Sequence, residues 1–230
     1  MRIVSWNCNG ALRKKFERIA TLDADIYVIQ ECEDPATSTP AYREWAGAYL
    51  WAGNAASKGM GVFAKNGHSL EALDWPNHGL QQFLPVRIDD RLNLIAVWTK
   101  NDARMAYIGQ FWQYLEHHGS LFDKGTVICG DLNSNAIWDK RGRIWNHSEC
   151  VGALERRGFR SLYHLSTNER QGAETFPTLY LQRNLAKPYH IDYFFAHDDA
   201  FVSGVPEVMV GIARDWLAVS DHMPIVADIG

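Results

Sequence analysis

Ser220-Asp221-His222-Met223-Pro224-Ile225-Val226 sets an acid and an imidazole directly ahead of an apolar run near the end of the chain. Gly130-Asp131-Leu132-Asn133 closes a second apolar run, residues 126–129, with an acid and an amide. Two earlier runs end the same way, residues 3–6 in Asn7 and residues 26–29 in Gln30-Glu31. Short apolar runs capped by polar residues read as β-strands buried between layers, with their polar groups emerging at a rim. Carboxylates gathered at one rim repel one another unless a hard cation lies among them. The pattern therefore predicts a divalent-metal site, and the mixture of acid, amide and imidazole predicts phosphate-ester chemistry.

Working outward, further apolar runs occupy residues 62–64, 92–98, 191–196 and 224–229. Helical spacing is rarer. Leu12, Phe16, Ile19 and Ala20 share one face, with Lys14, Lys15 and Arg18 opposite. Met105, Ile108, Phe111, Trp112 and Leu115 make a second stripe, and a third helix is expected to start with Ser148 as N-cap and stop at Gly158. Strands outnumber helices in mixed order, which predicts an α/β fold of two stacked sheets with helices outside. The longest irregular stretches expected are 34–42, 133–147 and 166–189, and long loops in a compact domain are often functional.

At 230 residues the chain reads as one domain, 1–230, at the large end of the single-core range. Its 27 acidic residues exceed its 23 basic ones by four, a difference that four metal-bound acids would remove. The balance thus neither excludes a polyanionic substrate nor offers broad affinity for one. Nine Trp are read mainly as core packing. Cys8, Cys32, Cys129 and Cys150 form no Cys-x-x-Cys pair, which excludes a zinc ribbon and predicts reduced, buried thiols. The start of the chain lacks a secretory apolar segment, and no stretch reaches the roughly 20 apolar residues of a membrane span. A soluble, cytoplasmic monomer with no membrane association is expected.

The rims differ in strength. Asn7 and Asn9 alone would suit a turn, and Glu31 alone a solvated strand end. Asp131 and Asn133, two apart on an extended chain, face one side. Asp192, inside His190-Ile191-Asp192-Tyr193-Phe194-Phe195, is a carboxylate among apolar residues and must find a partner. Asp221-His222 offers that partner, an imidazole beside a second acid.

Taken in order, Ser5-Trp6-Asn7-Cys8-Asn9-Gly10, Gln30-Glu31, Gly130-Asp131-Leu132-Asn133, Ile191-Asp192-Tyr193-Phe194 and Ser220-Asp221-His222-Met223-Pro224 resemble the endonuclease/exonuclease/phosphatase superfamily. The opening, and Thr175-Phe176-Pro177-Thr178 ahead of Asp192, are most similar to its exonuclease III and apurinic-site endonuclease branch. The resemblance spans residues 3–228. It implies a four-layer α/β/β/α sandwich and a Mg²⁺- or Mn²⁺-dependent phosphoesterase. It implies Glu31 as principal metal ligand assisted by Asn7, with Asn9 near the metal and Asp221 as a second ligand. Asp131 would position or deprotonate the attacking water, Asn133 would hold the phosphate or that water, and His222 paired with Asp192 would bond the phosphate or move a proton. Asp131 and the His222–Asp192 pair both qualify as general base. The sequence departs from the family at residues 96–101, where relatives carry a His or Tyr phosphate contact. Trp98, Lys100 and Asn101 are the candidates there, although an indole offers only one N–H.

Two substrate classes follow. DNA is favoured by the opening motif and by basic loops such as Arg13-Lys14-Lys15, Lys140-Arg141-Gly142-Arg143 and Arg183 with Lys187, the second flanked by Trp138 and Trp145. The alternative is a small-molecule or lipid-headgroup phosphatase or phosphodiesterase on the same scaffold. A binding module without turnover is disfavoured by the near-complete set of polar residues.

Overall fold

The computed structural model describes residues 1–101, 105–200, 204 and 206–229. In chain order its elements are β1 (Arg2–Asn7), α1 (Phe16–Ala20), β2 (Ile26–Cys32), α2 (Pro40–Ala46), β3 (Ala48–Ala55), β4 (Lys58–Ala64), β5 (Leu70–Ala72), β6 (Phe83–Ile88) and β7 (Leu92–Trp98). There follow α3 (Ile108–His118), β8 (Thr126–Asp131), α4 (His147–Glu155), β9 (Phe159–Ser161), α5 (Leu162–Thr167), β10 (Leu179–Tyr180), β11 (Pro188–Tyr189), β12 (Asp192–His197), β13 (Val208–Val210), α6 (Ala213–Trp216) and β14 (Ile225–Asp228). They build two six-stranded sheets, ordered β13-β14-β1-β2-β4-β3 and β5-β6-β7-β8-β12-β9, with β10-β11 as a separate ribbon. Each sheet has one parallel pair, β1–β2 and β7–β8, at its centre.

The apolar runs look continuous in sequence, yet their residues alternate between two cores. Ile3, Ile26, Val28 and Val62 of the first sheet meet Leu94, Ala96, Val127, Cys129 and Phe194 of the second. The intervening residues face outward. Val4, Trp6, Ile29 and Phe63 pack under α1, α2 and α6 with Ile19, Tyr42 and Trp216. Ile95, Val97, Ile128 and Phe195 pack under α3 and α4 with Phe111, Leu115, Val151 and Leu154. Helices thus cover both outer faces and the expected four-layer sandwich is present, its central strands buried on both sides. All four cysteines are buried and unpaired, and burial pushes the Cys8 thiol up to about 12.

Local readings need three corrections. The stripe from Leu12 to Ala20 is broken: a 3₁₀ turn, Leu12–Lys14, precedes α1 because the Glu33 carboxylate accepts the Leu12 and Arg13 N–H groups at 2.8 and 3.0 Å. The third helix is capped by Asn146 rather than Ser148. There the Asp139 carboxylate accepts the His147 and Ser148 N–H groups from outside the helix. Residues 34–42 are not irregular; they hold a 3₁₀ turn, Pro35–Thr37, and the start of α2, where Thr39 caps and Pro40 takes the first helical position.

Candidate active site

The same alternation that sorts the cores places the polar residues. Ile3, Val127 and Phe194 face the inter-sheet layer, so Asn7, Asp131 and Asp192, each an even number of residues away on its strand, face it too. All three lie at one end of the sandwich, where Asp131 pairs with Asp192 across β8–β12 and with Trp98 across β7–β8. Gly130 makes the close approach possible: its φ is 144°, and a Cβ there would fall 1.9 Å from the Val97 carbonyl oxygen.

A connected set of hydrogen bonds fixes the cluster. Asp131 is fully buried. Its Oδ2 accepts from Asn7 Nδ2 and Asn133 Nδ2, both at 3.0 Å, and its Oδ1 accepts the Asn133 N–H at 2.8 Å. Asn133 reaches this position with a left-handed φ of 45°. His222 Nδ1 lies 3.0 Å from Asp192 Oδ2, and its Nε2 faces Asp131 Oδ2 at 4.0 Å. The first sheet holds the imidazole from behind: Trp6 Nε1 donates to the His222 carbonyl, Ser220 Oγ accepts the His222 N–H, and the same hydroxyl donates to the Asn7 carbonyl.

Electrostatics separate the two titratable partners. Burial, with Asp192 adding to it, raises the Asp131 carboxyl to about 7. Burial alone would lower His222, but the Asp192 and Asp131 carboxylates outweigh it and raise the imidazole to about 9. At neutral pH the imidazole is therefore a cation and a donor, while Asp131 stands near the balance point for accepting a proton.

The remaining expected residues lie around this centre. Asn9 donates its N–H to Asn7 Oδ1 and its Nδ2 to Asp221 Oδ1, which carries the network out to the exposed edge. Glu31 follows Gln30, the β2 partner of Asn7, and is held by Lys58. Trp98 is 3% exposed, and its ring lies beneath the Lys100 ammonium, 3.6 Å from the centroid. Burial, with the neighbouring Lys58 ammonium, lowers Lys100. Asn101 is exposed. Asp131, Asp192 and His222 form the tightest group: one ligand atom from each lies within 4.8 Å of the others. Glu31 and Asp221 are not in that group.

Several contributors were not singled out from sequence. Thr178 accepts the Ile191 and Asp192 N–H groups on its hydroxyl and the Met223 N–H on its carbonyl, tying Asp192 to His222. Only its place in the Thr175–Thr178 stretch hinted at this. Behind the site the Glu174 side chain is 4% exposed, joins His164 at 3.1 Å and accepts from Asn135, clamping the two long loops together. Nothing local in the sequence marks such a pair. Of the basic loops, Arg13 is paired with Glu33, and Lys15 donates to the Cys8 carbonyl. Arg183 donates to the Ala218 carbonyl.

A cleft of about 470 Å³ opens beside Asn133. Trp138, Trp145, Tyr189, Lys140 and Arg143 line it, with Arg143 over the Trp145 ring at 4.5 Å. The carboxylate and amide oxygens at this rim are the donors a hard divalent cation takes, and beside them the buried Asp192 Oδ1 has no hydrogen-bond partner among the described residues.

Residues 4–222 match the model of the endonuclease/exonuclease/phosphatase family, and the chain belongs to that family. Its members cleave phosphate esters. Among solved structures, an AP endonuclease from Archaeoglobus fulgidus superposes with a TM-score of 0.72 at 17% identity, covering 100% of this chain and 99% of its own. The 3′-phosphatase NExo from Neisseria, bound to product DNA hairpin, gives 0.71 at 17% identity, with 100% and 99% covered. The endonuclease domain of TRAS1, a telomere-specific non-LTR retrotransposon, gives 0.68 at 17%, with 99% and 97% covered. These likenesses show that the four-layer fold is shared over the whole length of the chains. No curated protein matches the sequence.

Proposed function

We propose that the protein is a Mg²⁺- or Mn²⁺-dependent phosphodiesterase that hydrolyses nucleic acid, with DNA as the favoured substrate. The observation that carries this is the continuity between the Asp131–Asp192–His222 cluster and the aromatic, basic cleft beside Asn133. Rings of Trp138 and Tyr189, 5.1 Å apart, suit a base or sugar, and Lys140 and Arg143 suit flanking phosphates. A divalent ion held by Glu31, with Asp221 and Asn9 at its edge, would polarise a phosphoryl oxygen and stabilise the leaving oxygen. Asp131, held by Asn7 and Asn133, takes the proton of the attacking water. The His222 imidazolium, oriented by Asp192, donates a charge-assisted hydrogen bond to the phosphoryl group. Asn133 and Asn7 act by keeping Asp131 in one geometry.

The test is hydrolysis of abasic duplex, single-stranded DNA, RNA and a chromogenic phosphodiester with Mg²⁺ or Mn²⁺. Polynucleotide cleavage that EDTA abolishes is expected. Glu31→Ala and His222→Ala are expected to stay folded and lose at least about a hundredfold in rate. Either variant keeping near wild-type turnover removes that residue from the mechanism. Cleavage of the chromogenic ester alone moves the reading to a small-molecule phosphoesterase, which a cleft of 470 Å³ would also accommodate.

A further inference from the structure

Glu31 is the extra residue of a β-bulge: the β2–β4 register passes from Gln30↔Met60 to Cys32↔Gly59 and leaves it unpaired. Its φ is 63°, a left-handed conformation that a side-chain-bearing residue keeps only where its surroundings enforce it, as they often do at functional positions. The bulge aims the carboxylate at Lys58, whose Nζ lies 2.7 Å from Glu31 Oε2. Lys58 opens β4 at the tip of the β3–β4 hairpin, opposite Ala55, and its side chain is 50% exposed. The backbone beside it is fixed, because a Cβ on Gly59 would fall 2.3 Å from the Trp51 ring and 2.4 Å from the Ala52 carbonyl oxygen. The long, half-exposed side chain is therefore the part able to move. Lys58 Nζ also lies 5.7 Å from the Trp98 ring centroid, and Lys100 Nζ lies 3.6 Å from it. Two ammonium groups, one from β4 and one from just past β7, thus lie close to one indole, beside the strand end that carries Asp131.

We propose that Lys58 is an exchangeable cation at Glu31: its ammonium neutralises the carboxylate until a divalent ion binds there, and then turns with Lys100 to receive the substrate phosphate over Trp98. This rests on the reading of Glu31 as a metal donor. A divalent ion on Glu31 places like charge beside the ammonium and withdraws its counter-charge. The released group brings three donors and a positive charge to a site facing a phosphodiester anion. Metal binding and substrate binding are coupled through this one side chain.

The experiment titrates Mn²⁺ into wild type, Lys58→Met and Lys58→Arg, following the free ion by electron paramagnetic resonance. Thymidine 5′-monophosphate binding is then measured at saturating Mn²⁺. Removing the competing ammonium is expected to tighten Mn²⁺ binding in Lys58→Met, by up to about fivefold for a half-exposed pair. The same variant is expected to bind the nucleotide several-fold more weakly, and Lys58→Arg to restore both properties toward wild type. Unchanged or weaker Mn²⁺ binding in Lys58→Met overturns the exchange, whatever happens to the nucleotide. Mn²⁺ binding that is absent from wild type sinks the metal reading and this inference together, whereas Mn²⁺ binding that is present but indifferent to Lys58 sinks this inference alone.

Discussion

At the scale of single residues, the site depends on a charge arrangement that pH can test. His222 is raised to about 9 by its two carboxylate neighbours, so the folded state holds its proton more tightly than the unfolded chain does. The sign follows directly: this contribution is complete below the ordinary histidine value of about 6.5 and is lost as pH rises through 9. In metal-free buffer, urea unfolding of the wild type is expected to lose about 2–3 kcal/mol between pH 6.5 and 9. His222→Gln is expected to flatten that slope. An equal slope in both proteins would place the titration elsewhere. The meeting of Asp131 with Asn133 was legible from their two-residue spacing, although β8 ends at Asp131 and a left-handed φ at Asn133, not a continued strand, brings the amide round. The role of Thr178 beside Asp192 was not legible, because a hydroxyl that accepts two backbone N–H groups leaves no pattern in its own neighbourhood.

Among the elements, β7 and β8 carry the tightest constraint. Gly130→Ala must displace the Val97 carbonyl or the strand bearing Asp131, and its φ of 144° suits no other residue. A loss of at least about 3 kcal/mol is expected, read as a lowered urea midpoint. A near-neutral variant would mean that the strand pair can part without penalty. Strands buried on both faces were readable because nearly every residue in them is apolar; β7 matches its sequence run from Leu92 to Trp98. Strand β3 was not readable. Ala48–Ala55 is half-exposed at a sheet edge, mixes Tyr and Trp with Gly and Asn, and owes its pairing to β4 rather than to its own pattern. The break at Lys15 was hidden for a related reason. The apolar spacing of residues 12–20 is helical, but Glu33, some twenty residues away, sets where the turns begin.

Across the whole molecule, the groups of the candidate site are divided between the two layers. Asn7 lies on the first sheet and His222 just ahead of its strand β14, while Asp131 and Asp192 lie on the second sheet, so the cluster exists only while the two layers stay in register. A divalent ion bound there should stabilise the entire fold, and saturating Mn²⁺ is expected to raise the Tm by several degrees. No rise in wild type would count against a divalent ion bound at Glu31. Substrate binding carries its own global signature: a polynucleotide should bind with a log–log salt slope of about −0.7 or −0.9 for each phosphate neutralised, and a small ester with almost none. The closed packing has a last consequence, for the thiols. Cys8, Cys32, Cys129 and Cys150 are each 0–1% exposed within the layered interior. A maleimide reagent can reach them only when that interior opens, so the labelling rate of the intact protein should track its unfolding free energy residue for residue. Four buried sulfurs thereby supply an intrinsic clock for opening, and adduct formation on folding-competent protein in seconds would show that one layer detaches on its own.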